Sequence, residues 1–269
     1  MLKIGANPTL AAFLERLGRR AAAALALDYD GTLAPFRADR FLAVPYPGVA
    51  ELIERIQASG RTRVVLVSGR PAEEVRDLLG IVPAPEILGL HGRQRLEPDG
   101  RSEILPMTGP DQEVLRQAAA WLESEDLESL AEFKPGSVAV HWRGLAAEPA
   151  AGIRSRVRPA FASLAERGRL GLLEFDGGLE LRPLEPNKGT AVRAILSELA
   201  PGSPFAYLGD DTTDEDAFRV LRGTGALTVL VRPERRETAA EVWLRPPEEL
   251  LEFLTAWLER TVGAAGGTR

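Results

Sequence analysis

Asp28-Tyr29-Asp30-Gly31-Thr32-Leu33 closes the apolar run Ala21 to Leu27. A strand buried on both faces reads as an unbroken apolar run, so Ala22 to Asp28 is expected as an interior strand that ends in two acids at a glycine. A buried carboxylate is costly unless it is paired or bound to a metal. The two acids are therefore poorly placed for packing and well placed for chemistry, since at the carboxyl end of a strand both can reach a cleft.

Outward from this strand the chain alternates apolar runs with amphipathic helices. Leu10, Phe13, Leu14 and Leu17 repeat at helical spacing before it. After it come a helix over Gly48 to Ala58, a strand over Arg63 to Val67, a helix from Pro71 to Leu79 and a strand over Glu86 to Leu90. The rhythm predicts a doubly wound parallel α/β sheet, Rossmann-like. From about Met107 it changes. Helices over Asp111 to Glu125 and Glu148 to Arg167 are each followed by two strands, Leu130 to Phe133 with Ser137 to Trp142, and Leu170 to Phe175 with Leu179 to Arg182. Tight glycine turns, one of them Asp176-Gly177-Gly178, argue for hairpins, so this stretch is expected as a small α+β insertion with two helices on one face of a four-stranded sheet. The parallel rhythm then resumes with a helix over Gly189 to Leu199, strands over Phe205 to Leu208 and Ala226 to Val231, a weakly signalled strand near Val242 to Leu244, and a helix over Pro247 to Glu259. The expected division is 1–107 and 184–269 for the larger domain and 108–183 for the insertion.

Composition narrows the function classes. The net charge of −6 gives no bulk attraction to nucleic acid or to an anionic membrane. No apolar run near the start is long enough to span a bilayer, and the first helix is amphipathic, so a cytoplasmic protein with no membrane partner is expected. The tail Gly263 to Arg269 is expected to fray. Cysteine is absent, which excludes disulfides and thiol chemistry and restricts metal ligands to oxygen or histidine. Of 33 basic residues only Lys3, Lys134 and Lys188 are lysines, and the only histidines are His91 and His141. Scarcity makes these residues candidates for specific tasks. Oligomeric state is not legible, with a monomer as the expectation.

Four polar segments lie just beyond the ends of expected strands, where open α/β sheets bind ligands. They are Asp28 with Asp30, then Ser68-Gly69-Arg70, then Lys188-Gly189, then Gly209-Asp210-Asp211-Thr212-Thr213-Asp214-Glu215-Asp216-Ala217-Phe218. In this order they resemble the four motifs of the haloacid dehalogenase superfamily of phosphohydrolases. The resemblance implies Asp28 as a nucleophile that forms an aspartyl-phosphate, and Asp30 as the acid and then the base. It implies Mg2+ held by Asp28, the backbone carbonyl of Asp30 and Asp210, with Asp211 and Asp214 in or near that set. Ser68 would hydrogen-bond a phosphoryl oxygen, and Lys188 would neutralise charge on phosphate and Asp28.

The position of the insertion resembles the cap of sugar phosphatases in this superfamily. Between Leu25 and Phe218 the chain is most similar to the trehalose-6-phosphate phosphatases. The matching residues are Gly89-Leu90-His91-Gly92, Lys134 through Arg143, Leu179 through Pro183, Asn187-Lys188-Gly189 and Tyr207 through Phe218. Trp142 departs from a tyrosine in many members. The implied substrate is a small-molecule sugar phosphate, trehalose 6-phosphate. Lys134, His141, Arg143, Glu180 and Arg182 are the candidates for reading its hydroxyls, with Gly69, Arg70 and His91 near the phosphate. Another sugar phosphatase, acting on sucrose 6-phosphate, mannosyl-3-phosphoglycerate or glucosylglycerol phosphate, would share every core motif. A phosphomutase or a catalytically silent sugar-phosphate-binding protein is a further alternative, the latter opposed by the presence of all five core residues Asp28, Asp30, Ser68, Lys188 and Asp210.

Overall fold

A computed structural model describes residues 7–37, 39–175 and 177–262. Lys3, Asp176 in the expected second hairpin turn, and the Gly263 to Arg269 tail lie outside the described residues. Contacts divide the chain into two compact units, Met1–Glu103 with Lys188–Arg269, and Ile104–Asn187. In chain order the elements are α1 (Pro8–Gly18), β1 (Ala23–Leu27), α2 (Val49–Ala58), β2 (Thr62–Val67), α3 (Ala72–Leu79), β3 (Glu86–Gly89), β4 (Gln94–Leu96) and β5 (Ser102–Ile104). The smaller unit follows with α4 (Gly109–Ser124), β6 (Ala131–Lys134), β7 (Ser137–His141), α5 (Ala147–Ala165), β8 (Leu170–Phe175) and β9 (Gly178–Pro183). The larger unit resumes with α6 (Lys188–Glu198), β10 (Phe205–Gly209), α7 (Glu215–Leu221), β11 (Leu227–Val231), β12 (Val242–Leu244) and α8 (Glu248–Val262).

The larger unit is built on one sheet of order β12-β11-β10-β1-β2-β3-β4-β5, in which the six strands from β12 to β3 run parallel. Alternate residues feed opposite faces. Leu25 and Leu27 of β1 pack with α1, α2, α3 and α8 through Phe13, Ile53, Val75, Phe253 and Trp257. Ala24 and Ala26 face α6 and α7 through Val192, Ile195 and Phe218. Burial on both faces is why the run from Ala23 to Leu27 is uniformly apolar. The structure adds β4 and β5, which periodicity does not signal. Strand β4 pairs antiparallel with β3, and its Gln94-Arg95-Leu96 is too short and polar to read as a strand alone.

The smaller unit is a four-stranded antiparallel sheet of order β6-β7-β9-β8. One face packs Val138, Val140, Leu179 and Leu181 against Val114, Leu122, Val157 and Phe161 of α4 and α5. The period of two sends Glu132, Lys134, Ser137, His141, Glu180 and Arg182 to the opposite face. Among the described residues, no helix is long and apolar enough to cross a membrane.

Candidate active site

Strand β1 lies between β10 and β2, with Leu27 level with both Leu208 and Leu66. Asp28 therefore leaves the sheet beside Gly209-Asp210 on one side and Val67-Ser68 on the other, and its amide donates to Leu208 O at 2.9 Å. Three segments far apart in sequence thus end at one place for reasons of register alone. The turn after β1 is tight: Gly31 has φ +79°, and a Cβ there would lie 2.1 Å from Asp210 Oδ2. Any side chain at this position would evict the Asp210 carboxylate.

Asp28, Asp210 and Asp214 are buried, and one oxygen from each falls within 4.8 Å of the others. At an effective dielectric of about 20, each such pair would cost about 3.5 kcal/mol or more if both acids were ionised. One ammonium opposes them. Lys188, at the start of α6, lies 2.7 Å from Asp28 Oδ1 and 2.8 Å from Asp214 Oδ1. Burial, seconded by the charge of Asp214, pushes the Asp28 carboxyl up to about 7 despite Lys188. Burial beside Asp28 and Asp214 raises Asp210 well above the usual carboxylate range. Burial alone would lower the Lys188 pKa, but Asp214 and Asp28 more than offset it and hold the ammonium charged.

The three acids differ in what occupies them. Asp214 is saturated: Oδ1 accepts from Lys188 and the Tyr207 hydroxyl, and Oδ2 from the amides of Asp210 and Asp211 at 3.1 and 2.9 Å. It orients its neighbours. Asp210 Oδ1, by contrast, is buried with no hydrogen-bond partner among the described residues. An all-carboxylate cluster with an orphaned buried oxygen and one excess of negative charge after another suits a hard divalent cation, and Asp28 and Asp210 are the residues with oxygens to give it. The Asp211 carboxylate instead caps the following turn through the Thr212 amide at 2.7 Å.

Asp30 lies apart from this cluster. Its two carboxylate oxygens accept from Arg70 Nε and Nη2, each at 2.6 Å. Arg70 Nη1 also donates to Arg40 O at 2.9 Å, so this guanidinium faces Asp30 and the loop after β1. Ser68 is buried and its Oγ accepts the Arg70 amide at 3.2 Å. His91 is buried in a left-handed conformation with φ 57°, its ring so close over Gly69 that a Cβ there would come within 2.7 Å of it. Gly69 thus makes room for His91.

In the smaller unit, one sheet face joins three of the predicted residues into a network. Lys134 Nζ lies 3.2 Å from the buried Glu180 Oε1, which also accepts from Ser137 Oγ at 2.5 Å. Glu132 Oε2 lies 3.5 Å from Lys134 Nζ and 2.9 Å from His141 Nε2. Arg182 donates to Pro186 O at 3.3 Å. Arg143 lies just past β7, its amide 3.1 Å from Gly177 O. Glu132, Ser137 and Tyr207 received no role in the sequence reading. Glu132 stands two residues before Lys134 on the same strand face, a spacing that could have identified it.

The trehalose-phosphatase family profile matches residues 26–245. The trehalose-phosphate phosphatase of Mycobacterium avium (strain 104) is 34% identical over 260 residues, an alignment covering 89% of this chain and 64% of the relative. The chain thus spans less than two thirds of that relative's length. Among solved structures, the C-terminal domain of C. albicans trehalose-6-phosphate phosphatase superposes with a TM-score of 0.80 at 20% identity, covering 92% of this chain and 96% of that one. A haloacid dehalogenase-like hydrolase from B. subtilis superposes with a TM-score of 0.60 at 16% identity, covering 86% and 98%. At these identities the structural matches establish a shared fold.

Proposed function

The chain belongs to the trehalose-phosphatase family, and from that premise we propose that it hydrolyses trehalose 6-phosphate to trehalose and phosphate, with Mg2+ held by Asp28 and Asp210. The observation that carries the reading is the Asp28 carboxylate, buried at the end of the central strand, 2.7 Å from Lys188 and within 4.8 Å of the oxygens of Asp210 and Asp214.

In this reading an oxygen of Asp28 attacks phosphorus as the bond to the sugar oxygen breaks, leaving an aspartyl-phosphate. Asp30, turned out of the Arg70 fork and protonated, gives that proton to the departing sugar oxygen. It then takes a proton from the water that attacks the phosphoenzyme, which releases phosphate and restores the Asp28 carboxylate. Mg2+ supplies positive charge that keeps Asp28 ionised and offsets the phosphoryl oxygens. Lys188 would hold Asp28 through Oδ1, and Ser68 would donate to a phosphoryl oxygen. The core motifs recognise only a phosphate, so selectivity for the sugar falls to the polar sheet face of the smaller unit, Lys134, His141, Glu180 and Arg182 with Arg143, joined by Glu132 and Ser137. A sheet face whose polar groups hydrogen-bond one another is preorganised for hydroxyls.

Phosphate release from trehalose 6-phosphate, with and without Mg2+ and against a panel of other sugar phosphates, tests the proposal. Mg2+-dependent release with preference for trehalose 6-phosphate is expected. More than tenfold preference for another ester, or no release, would sink the assignment.

A further inference from the structure

We propose that Arg236, which lies outside every motif named above, is a positioning residue for the cation site, fixing from behind the loop that presents Asp210. The inference rests on the reading of Asp28 and Asp210 as cation ligands.

The peptide units of Asp210 and Asp211 are held on two sides. On one, their amides donate to Asp214 Oδ2. On the other, their carbonyls accept from Arg236, Nε to Asp210 O at 3.3 Å and Nη2 to Asp211 O at 2.7 Å. The guanidinium is itself immobilised. Its Nη1 donates to Glu215 Oε1 at 2.6 Å and to Glu237 O at 2.8 Å, and Glu215 Oε2 accepts the Ala239 amide at 2.9 Å. Glu215 is buried, and the Arg236 side chain is 22% exposed.

The need for such a restraint follows from charge. Among the described residues Asp210 Oδ1 has no donor, and the carboxylates of Asp28 and Asp214 crowd it to within 4.8 Å. Nothing at that oxygen keeps Asp210 aimed at its neighbours, and the backbone has to do so. A guanidinium suits the task because its planar fork reaches two carbonyls while a third donor anchors on Glu215, a geometry a lysine cannot reproduce. Holding the carboxylates together before the cation arrives removes an ordering cost from binding, and loss of groups that orient metal ligands typically weakens affinity about 10–100-fold.

Calorimetric titration of Mg2+ into the protein and its Arg236→Met, Arg236→Lys and Glu215→Gln variants tests this, with melting temperatures taken with and without Mg2+. Arg236→Met is expected to weaken Mg2+ binding at least tenfold and to reduce the Mg2+-induced rise in melting temperature, Glu215→Gln to do so less, and Arg236→Lys to fail to restore it. If Arg236→Met does not fold, Glu215→Gln carries the test. Unchanged Mg2+ affinity in variants that melt earlier by the same amount with and without Mg2+ would make Arg236 a strap for the fold only and overturn this inference alone. No Mg2+ binding by the unsubstituted protein would overturn the cation-site reading and this inference with it.

Discussion

Both carboxylate oxygens of Asp30 are engaged by a single side chain, Arg70, whose Nε and Nη2 each donate at 2.6 Å while Nη1 donates to Arg40 O. A carboxylate held in a guanidinium fork is an acceptor only. To put a proton on a leaving oxygen, Asp30 has to turn out of the fork. In the proposed mechanism the pair thus sets the starting position of Asp30. Arg70→Lys keeps the charge and loses the fork. It is expected to lower kcat/KM for trehalose 6-phosphate by at least about tenfold, or about 1.4 kcal/mol. An unchanged value in steady-state assays would show that the fork does not matter to turnover.

Asp28→Asn should abolish turnover while leaving the circular dichroism spectrum intact, because an amide is no nucleophile yet fills the same space. Mg2+-dependent phosphate release by this variant at a substantial fraction of the original rate would contradict the role given to Asp28.

Gly31→Ala tests the tight turn. Its φ of +79° costs a residue with a Cβ roughly 1–2 kcal/mol, and that Cβ would overlap Asp210 Oδ2. A lower melting temperature and loss of Mg2+ binding are expected together. Retained Mg2+ affinity would show that Asp210 adjusts without leaving the site.

The Asp28 carboxyl, pushed up to about 7 by burial and by Asp214, gives a pH dependence of definite sign. Between its ordinary value of 3.8 and about 7 the folded state binds more protons than the unfolded chain, so this group's contribution to stability is present at low pH and fades as pH rises to about 7. A cation competes with the proton for the same oxygens, so its binding strengthens over that window. The rise in melting temperature on adding Mg2+ is therefore expected to be larger at about pH 8 than at about pH 5.5. Equal rises would argue that Asp28 is not a ligand.

Lys134→Met removes the cation that lies 3.2 Å from Glu180 and 3.5 Å from Glu132. If this sheet face reads the sugar, kcat/KM for trehalose 6-phosphate should fall at least tenfold more than that for p-nitrophenyl phosphate, which has no sugar to read. Equal losses would place the effect in folding of the smaller unit.

The fold class was legible because the central strands are buried on both faces and therefore read as unbroken apolar runs, each ending abruptly in polar residues. Strands β4 and β5 were not, since a three-residue strand such as Gln94-Arg95-Leu96 is too short to carry a periodic signal. Asp28 and Asp210 stood out by residue type at strand ends, and Lys188 by the scarcity of lysine at the start of a helix. Arg236 did not, because in an arginine-rich, acidic chain nothing local separates an anchored ion pair from a solvated one.

Asp28 and Asp30 began as an unusual pair of acids two residues apart, and the sequence by itself determined that both sit at the end of an interior strand, since hydrophobic periodicity and a terminating glycine are local properties. Only the tertiary structure decided that they part company. Strand register brings Asp28 beside the Gly209-Asp210 end of β10, and the start of α6 brings Lys188 to it, while the turn at Gly31 sends Asp30 to Arg70, 40 positions away in the chain. Which groups neighbour a carboxylate, and so which of its oxygens remain available, depends on chain segments that come together only on folding.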